Sequence, residues 1–524
     1  MNFLHTKKFR HGSISLALTV IIIAAVILVN AIFTALSNKF LWQIDMTKDQ
    51  MFTLSDEAKD LLAGMDPEKK VTITFCTEMD LMEADGTQRY PLRTAQEIEK
   101  AFGNVEVRYV DVNTNPSAVQ EAQMHTGETI NSKSIILSSG KQHRVYTLQS
   151  MFTMDSSGST VIGYNGEQRL VSGLLAITQD EAPVACFTVN HGEQDNPNFA
   201  KFRDAFYDIG YEVVLLDLRK ENIPEACSLI ITIDPQNDFS AEDDPYTDIS
   251  ADELKKLGRF LDARNSMMVF FDHGTPYHEN FETFLADWGI GIARQDEAAL
   301  LVKDRGESFD AEGLTTVGSY VKGGLGATLT EKLLSKSNPK PVLFPYSAVM
   351  YNTYEADYVE SGDYWKGTSN FANGASRETY DVFTSSSRAI AEANGEALSK
   401  KELEELGLRL EADMPFSYMK LARESKQDNE GNMTYSYVLA CSSTDFAAAM
   451  SNSGYGNHTV LTYAVSVLGR SLVSVALDCK YFTSTEITNI TATEANQYTV
   501  VLTVVPAAII FIAGIYIMVR RRYA

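Results

Sequence analysis

The stretch PVACFTVNHGEQDNPNFAKFRDAFYDIGYEVVLL, residues 183–216, decides the fold. Val184 to Val189 is a short run, apolar except for Thr188, the pattern of a strand buried on both faces. Asn198 to Gly210 reads as a helix and Glu212 to Leu216 as a second strand. A strand, a helix and a strand in succession make one unit of a parallel sheet. The alternation continues through a strand at Ser228 to Asp234, a helix at Ala251 to Ala263 capped by Ser250, a strand at Met267 to Asp272 and a helix at Phe281 to Trp288. The spacing predicts an α/β domain over 183–480, flavodoxin-like, with a mostly parallel sheet and helices on both faces. Polar insertions interrupt it at about 291–340 and 351–427. In such sheets ligand sites lie beyond the carboxyl ends of the strands.

Upstream, Val71 to Phe75, Val105 to Val110, Ser134 to Ser138 and His143 to Thr147 read as strands, with helices at Arg93 to Ala101 and Ala118 to Thr126. The order β-α-β-α-β-β predicts a thioredoxin-like domain over 67–150. Redox chemistry on that fold needs two thiols spaced CxxC. Here the first strand runs into Cys76-Thr77-Glu78-Met79, so a scaffold role is expected. Residues 37–66 form a connector in which Ser55 caps a short helix, and 151–182 a linker with a polar helix from Glu167 to Ile177.

Both ends of the chain are apolar. Residues 14–36 (ISLALTVIIIAAVILVNAIFTAL) and 498–519 (YTVVLTVVPAAIIFIAGIYIMV) carry no charge, and each is long enough as a helix to cross a hydrocarbon core roughly 30 Å thick. The first exceeds the core of a cleavable signal. Lys7, Lys8 and Arg10 precede it, and Arg520, Arg521 and Arg522 follow the second. The positive-inside tendency then places the tails 1–13 and 520–524 in the cytoplasm and residues 37–497, including a connector at 481–497, outside a bacterial cell membrane. The expected class is a membrane protein with two transmembrane helices flanking an extracytoplasmic α/β region.

Lys and Arg number 45 against 69 Asp and Glu, a formal charge of -24, which excludes a nucleic-acid-binding face. The 5 cysteines form no disulfide framework. No GxxxxGK[ST], HExxH or GxSxG motif occurs, so neither P-loop ATP hydrolysis nor the corresponding metal or serine hydrolysis is expected. The sharpest local signal is His191-Gly192-Glu193, which follows the first strand of the α/β domain. Imidazole beside carboxylate suits acid-base work or a polar ligand. Asp272-His273-Gly274 ends a later strand, with His278 nearby. The spacing of His191, Glu193, Asp272, His273 and His278 matches no metal-ligand motif, and no metal or cofactor is assigned. His191, Gly192, Glu193, Asp272 and His273 are the candidate contacts for a ligand or partner.

Six segments carry a resemblance in order. They are IDMTKDQMFTLSDEAKDLL (44–62), VRYVDVNTNPSAV (107–119), NGEQRLVSGLLAIT (165–178), FTVNHGEQD (187–195), the interrupted pair LIITIDPQNDFS (229–240) and ADELKKLGRFLD (251–262), and the basic-ended C-terminal run. With them the chain resembles the GldG-like, gliding-motility-associated family of auxiliary membrane subunits of bacterial ABC transport systems. The resemblance implies a non-catalytic subunit beside a separate ATP-binding subunit and a multi-span permease in the same lipid bilayer, with cargo unspecified. Gliding itself does not follow. The second domain also looks like the class I glutamine amidotransferase-like fold, whose enzymes carry a nucleophilic cysteine after a strand; the matching strand end here offers Asp272 and His273. Two alternatives stand beside this: a membrane-anchored ligand-binding module, and an ectohydrolase using His191 and Glu193.

Overall fold

The computed structural model describes residues 50–154, 160–179, 183–241, 252–335, 339–406, 414–428, 430–450, 454–469 and 479–482, with 21, 23–32, 45, 47, 408, 477, 512, 514, 516, 517, 519 and 520. The chain divides into two units, Met1–Tyr481 and Phe482–Ala524.

Among the described residues no helix is long and apolar enough to cross a membrane. This corrects the expectation of two transmembrane helices, and with it the cell-membrane localisation, the cytoplasmic tails and the extracytoplasmic placement of 37–497. In the first run the described helical residues are 21 and 23–32. The remainder of 14–36 and most of 498–519 lie outside the described residues. What is shown is a mixed α/β protein with several sheets.

A short helix, α1 (Asp56–Leu62), opens at Ser55, whose hydroxyl accepts from the Ala58 amide at 3.1 Å. Strand β1 (Val71–Phe75), helix α2 (Arg89–Ala101), strand β2 (Val105–Tyr109), helix α3 (Gln120–Thr126) and strands β3 (Ser134–Ser139) and β4 (Gln142–Thr147) follow. The four strands lie in the order β2-β1-β3-β4, with β1 and β2 parallel and the other pairs antiparallel. Alternation in β1 buries Val71, Ile73 and Phe75 on one face and leaves Thr72 and Thr74 half-buried on the other.

Helix α4 (Gly166–Thr178) was expected as a polar linker helix and is instead buried along almost its whole length. It packs against α1, α2, β3 and β4, so its polar residues must be satisfied inside. Glu167 accepts the Ser55 amide at 2.7 Å and pairs with Lys480 Nζ at 2.7 Å. Gln168 donates to the Ser172 hydroxyl at 2.8 Å.

The large sheet begins with β5 (Val184–Thr188), helix α5 (Phe199–Ile209), β6 (Glu212–Leu216), β7 (Cys227–Ile233), helix α6 (Glu253–Asp262), β8 (Ser266–Phe270) and helix α7 (Glu279–Ala286). Asp252, not Ser250, caps α6 by accepting the Lys255 amide at 2.8 Å; Ser250 lies outside the described residues. The sheet continues with β9 (Ala356–Val359), β10 (Tyr364–Asn370), β11 (Ser376–Thr384), β12 (Ser417–Gln427) and β13 (Met433–Cys441) in the order β9-β10-β11-β12-β13-β8-β7-β5-β6. The run from β13 to β6 is parallel, and that from β9 to β13 antiparallel. The sheet is therefore mixed rather than mostly parallel. The segment 351–427, expected as an insertion, supplies most of its antiparallel half. Its outer strands β9 and β10 are mostly half-buried or exposed and polar in sequence, whereas β11 and β12 are buried over most of their length. Helix α8 (Asn457–Leu468) covers the core formed by Phe187, Phe202, Phe270, Phe344, Tyr418 and Leu439.

Candidate functional site

The parallel strands end on one rim of the sheet, and the candidate residues stand there in two groups. The first is built on the loop after β5. Gly192 has φ 88°, and a Cβ there would come within 2.9 Å of Gln236 Cβ, so the tight turn requires glycine. The turn folds the Glu193 carboxylate back onto His191, accepting its amide at 2.8 Å and facing Nδ1 at 3.0 Å. On the other side of the ring, Nε2 lies 3.1 Å from Glu253 Oε2 at the start of α6. Glu253 also accepts from Asn190 Nδ2 and the Ser240 amide, each at 2.8 Å. Phe239 stacks on the imidazole at 3.7 Å between ring centres. His191 is 1% exposed, and Glu193 and Glu253 are 0% exposed.

Burial alone would drive the His191 ring neutral, but hydrogen bonds and charge from Glu193 and Glu253 outweigh it and raise its pKa to about 9. Glu253 is opposed by burial in the same way, yet its bonds to His191, Ser240 and Asn190 hold it below the usual carboxylate range. The cluster is an imidazolium clamped between carboxylates. Since the folded value lies above the unfolded 6.5, its stabilisation is complete below pH 6.5 and is lost as pH rises through about 9. The urea midpoint is expected to fall across that window in the wild type and to lose this component in His191→Gln. A wild-type midpoint that stays level from pH 6.5 to 9 would contradict the assignment.

The second group surrounds Asp272. It is half-buried beyond β8 and accepts the Thr444 hydroxyl at 2.5 Å and the Gly274 amide at 2.7 Å. Burial, with the charge of Asp234, raises its pKa despite the Thr444 bond. Asp234, at φ 47° beyond β7, accepts from Thr275 Oγ1 at 2.7 Å and Asn196 Nδ2 at 2.9 Å. Asn198 donates to Asp445 at 2.8 Å. His273 is exposed and set against the Tyr346 carbonyl at 3.2 Å. His278 is buried, with Nε2 2.8 Å from the Pro235 carbonyl.

The structure thus joins His191 to Glu193 and leaves Asp272 and His273 in a separate cluster. The partners missed in the sequence are Glu253, Asp234, Thr444 and Asp445, and only the strand-end positions of Asp234 and Asp445 offered a signal. Burial raises the Cys76 and Cys441 thiols to about 12, and a hydrogen bond with the free thiol of Cys227, together with burial, raises that of Cys186 as well. Among the described residues no group of three or more His, Cys, Asp and Glu side chains is arranged to hold a metal ion.

No family model and no curated protein matches the chain. Among solved structures, Cytoplasmic Protein STM3548 from Salmonella typhimurium is similar at 7% identity, covering 55% of this chain and 100% of that one with a TM-score of 0.30. That score is too low to carry an argument about fold or function. These comparisons lend no support to the membrane and gliding-motility associations that the ordered landmarks implied.

Proposed function

We propose that the chain is a non-catalytic accessory subunit that works by contact, with an ATP-binding subunit and a multi-span permease of an ABC transport system as its partners. The observation that carries the non-catalytic part is the closure of the His191–Glu193–Glu253 cluster. An imidazole that is to exchange protons with a substrate must reach it within hydrogen-bonding distance, whereas both ring nitrogens here face buried carboxylates. The thiols whose pKa burial raises are poor nucleophiles for the same reason of inaccessibility. The choice of partners rests on the six ordered landmarks in the sequence.

The rim around Asp272, His273, Asp234 and Thr444 is the surface we assign to the contact, because the loops beyond parallel strands are where such sheets meet ligands. A tagged full-length chain isolated from gently solubilised cells is expected to bring down an ATP-binding protein and a multi-span protein in constant ratio. Recovery of the chain alone would remove the accessory-subunit reading.

A further inference from the structure

We infer that His125 and His143 form an open binding site for a divalent transition-metal ion of the Zn²⁺ or Cu²⁺ class, on the face of the small sheet opposite α2. Neither residue belongs to the rim site, and neither is used by the proposed function.

His143 lies on β4, opposite Ser138 of β3, and its Nδ1 stands 2.9 Å from the Ser138 hydroxyl. Its Nε2 is shielded from solvent and has no hydrogen-bond partner. Such an orphan nitrogen costs free energy in either tautomer. With Nδ1–H donating to Ser138, Nε2 carries a free lone pair, which is how a metal-ligating histidine is oriented by its outer-shell partner.

The second imidazole arrives from α3. The ring centres of His125 and His143 are 5.3 Å apart, with planes inclined at 55°. Two imidazoles on one tetrahedral ion, each nitrogen about 2.0–2.1 Å from the metal, have ring centres roughly 5 Å apart. Glu121 precedes His125 by one helical turn on α3 and lines, together with His143, a cleft of about 990 Å³ floored by Thr72, Thr74 and Ser138. With no third ligating side chain gathered among the described residues, the remaining positions fall to water from the cleft. That makes the site exchangeable rather than structural. Nitrogen ligands select zinc, copper or nickel over magnesium or calcium.

The test is calorimetric titration of chelator-treated full-length protein with ZnCl₂ at pH 7.5. One zinc per chain is expected for the wild type, and His125→Ala and His143→Ala are each expected to weaken binding by about tenfold or more. Ser138→Ala, which frees Nδ1, is expected to weaken it by about tenfold. Because His125 is exposed, its removal leaves the core intact, and the zinc-induced rise in melting temperature is expected to disappear in that variant while the metal-free melting temperature stays the same. An unchanged isotherm in the His125→Ala/His143→Ala double variant, or no saturable zinc binding by the wild type, would overturn the site.

Discussion

His191→Ala is expected to lower the stability of the folded chain by about 3–5 kcal/mol, the range for stripping one partner from a buried ionic cluster. The size follows from what remains. Glu193 and Glu253 are both 0% exposed, and without the imidazolium they face each other across an apolar gap beside Phe239. One of them must take up a proton or the loop must open to water. Arg219, whose Nε lies 3.5 Å from Glu253 on the solvent side, compensates only in part. Urea unfolding at pH 6, where the wild-type cluster is fully charged, gives the largest difference, and the gap should narrow near pH 9. A loss below about 1 kcal/mol would mean that water already reaches the carboxylates.

Arg144→Ala is expected to be of similar size, about 3–5 kcal/mol, and to change the form of the transition. Arg144 alternates with His143 on β4 and so points away from the cleft toward the large sheet. Its guanidinium is buried and donates to the carbonyls of Gly210 at 2.8 Å, Tyr207 at 2.7 Å and Tyr211 at 2.8 Å, closing the C-terminal end of α5, while lying 4.2 Å over the Tyr207 ring. Truncation removes three charge-assisted bonds and strands three carbonyls. Residues 67–147 are then expected to unfold at lower denaturant than the large sheet, splitting a single transition into two. Lysine recovers only part of this, because an ammonium lacks the planar fork that serves several carbonyls. A single, unshifted transition for Arg144→Ala would count against the joint.

The strands of the small sheet were legible because β1 to β4 are short, bounded by turn residues and either alternating or wholly apolar. The same is true of β5, β7 and β8. The antiparallel half of the large sheet was not. Residues such as Tyr364, Trp365, Arg377 and Glu378 are half-buried and look like a polar loop until their neighbours across the sheet are known. Arg423 and Lys366 both pair with Glu378, at 2.5 Å each, and no local pattern announces such pairs. Helix α4 failed for the converse reason. Its Glu167, Gln168 and Ser172 suggested an exposed face, whereas their partners lie elsewhere in the chain or one turn away. At the candidate site the loop His191–Glu193 was visible, but Glu253 stood 62 residues away as an ordinary acid in a first helical turn. The apolar runs at the two ends pointed to membrane spans through their length, lack of charge and basic flanks, whereas among the described residues no helix is long and apolar enough to cross a membrane.

The position of β13 bears on how the chain is made. Ser266 of β8 is paired with Tyr437 of β13, so on the ribosome β8 waits for a neighbour that emerges about 170 residues later, with correspondingly slow closure of so distant a pairing. Until then a row of unmet amides and carbonyls on an apolar strand is open to any passing chain. Nascent protein released before residue 441 should aggregate or be held by chaperones, whereas a few added codons complete the sheet.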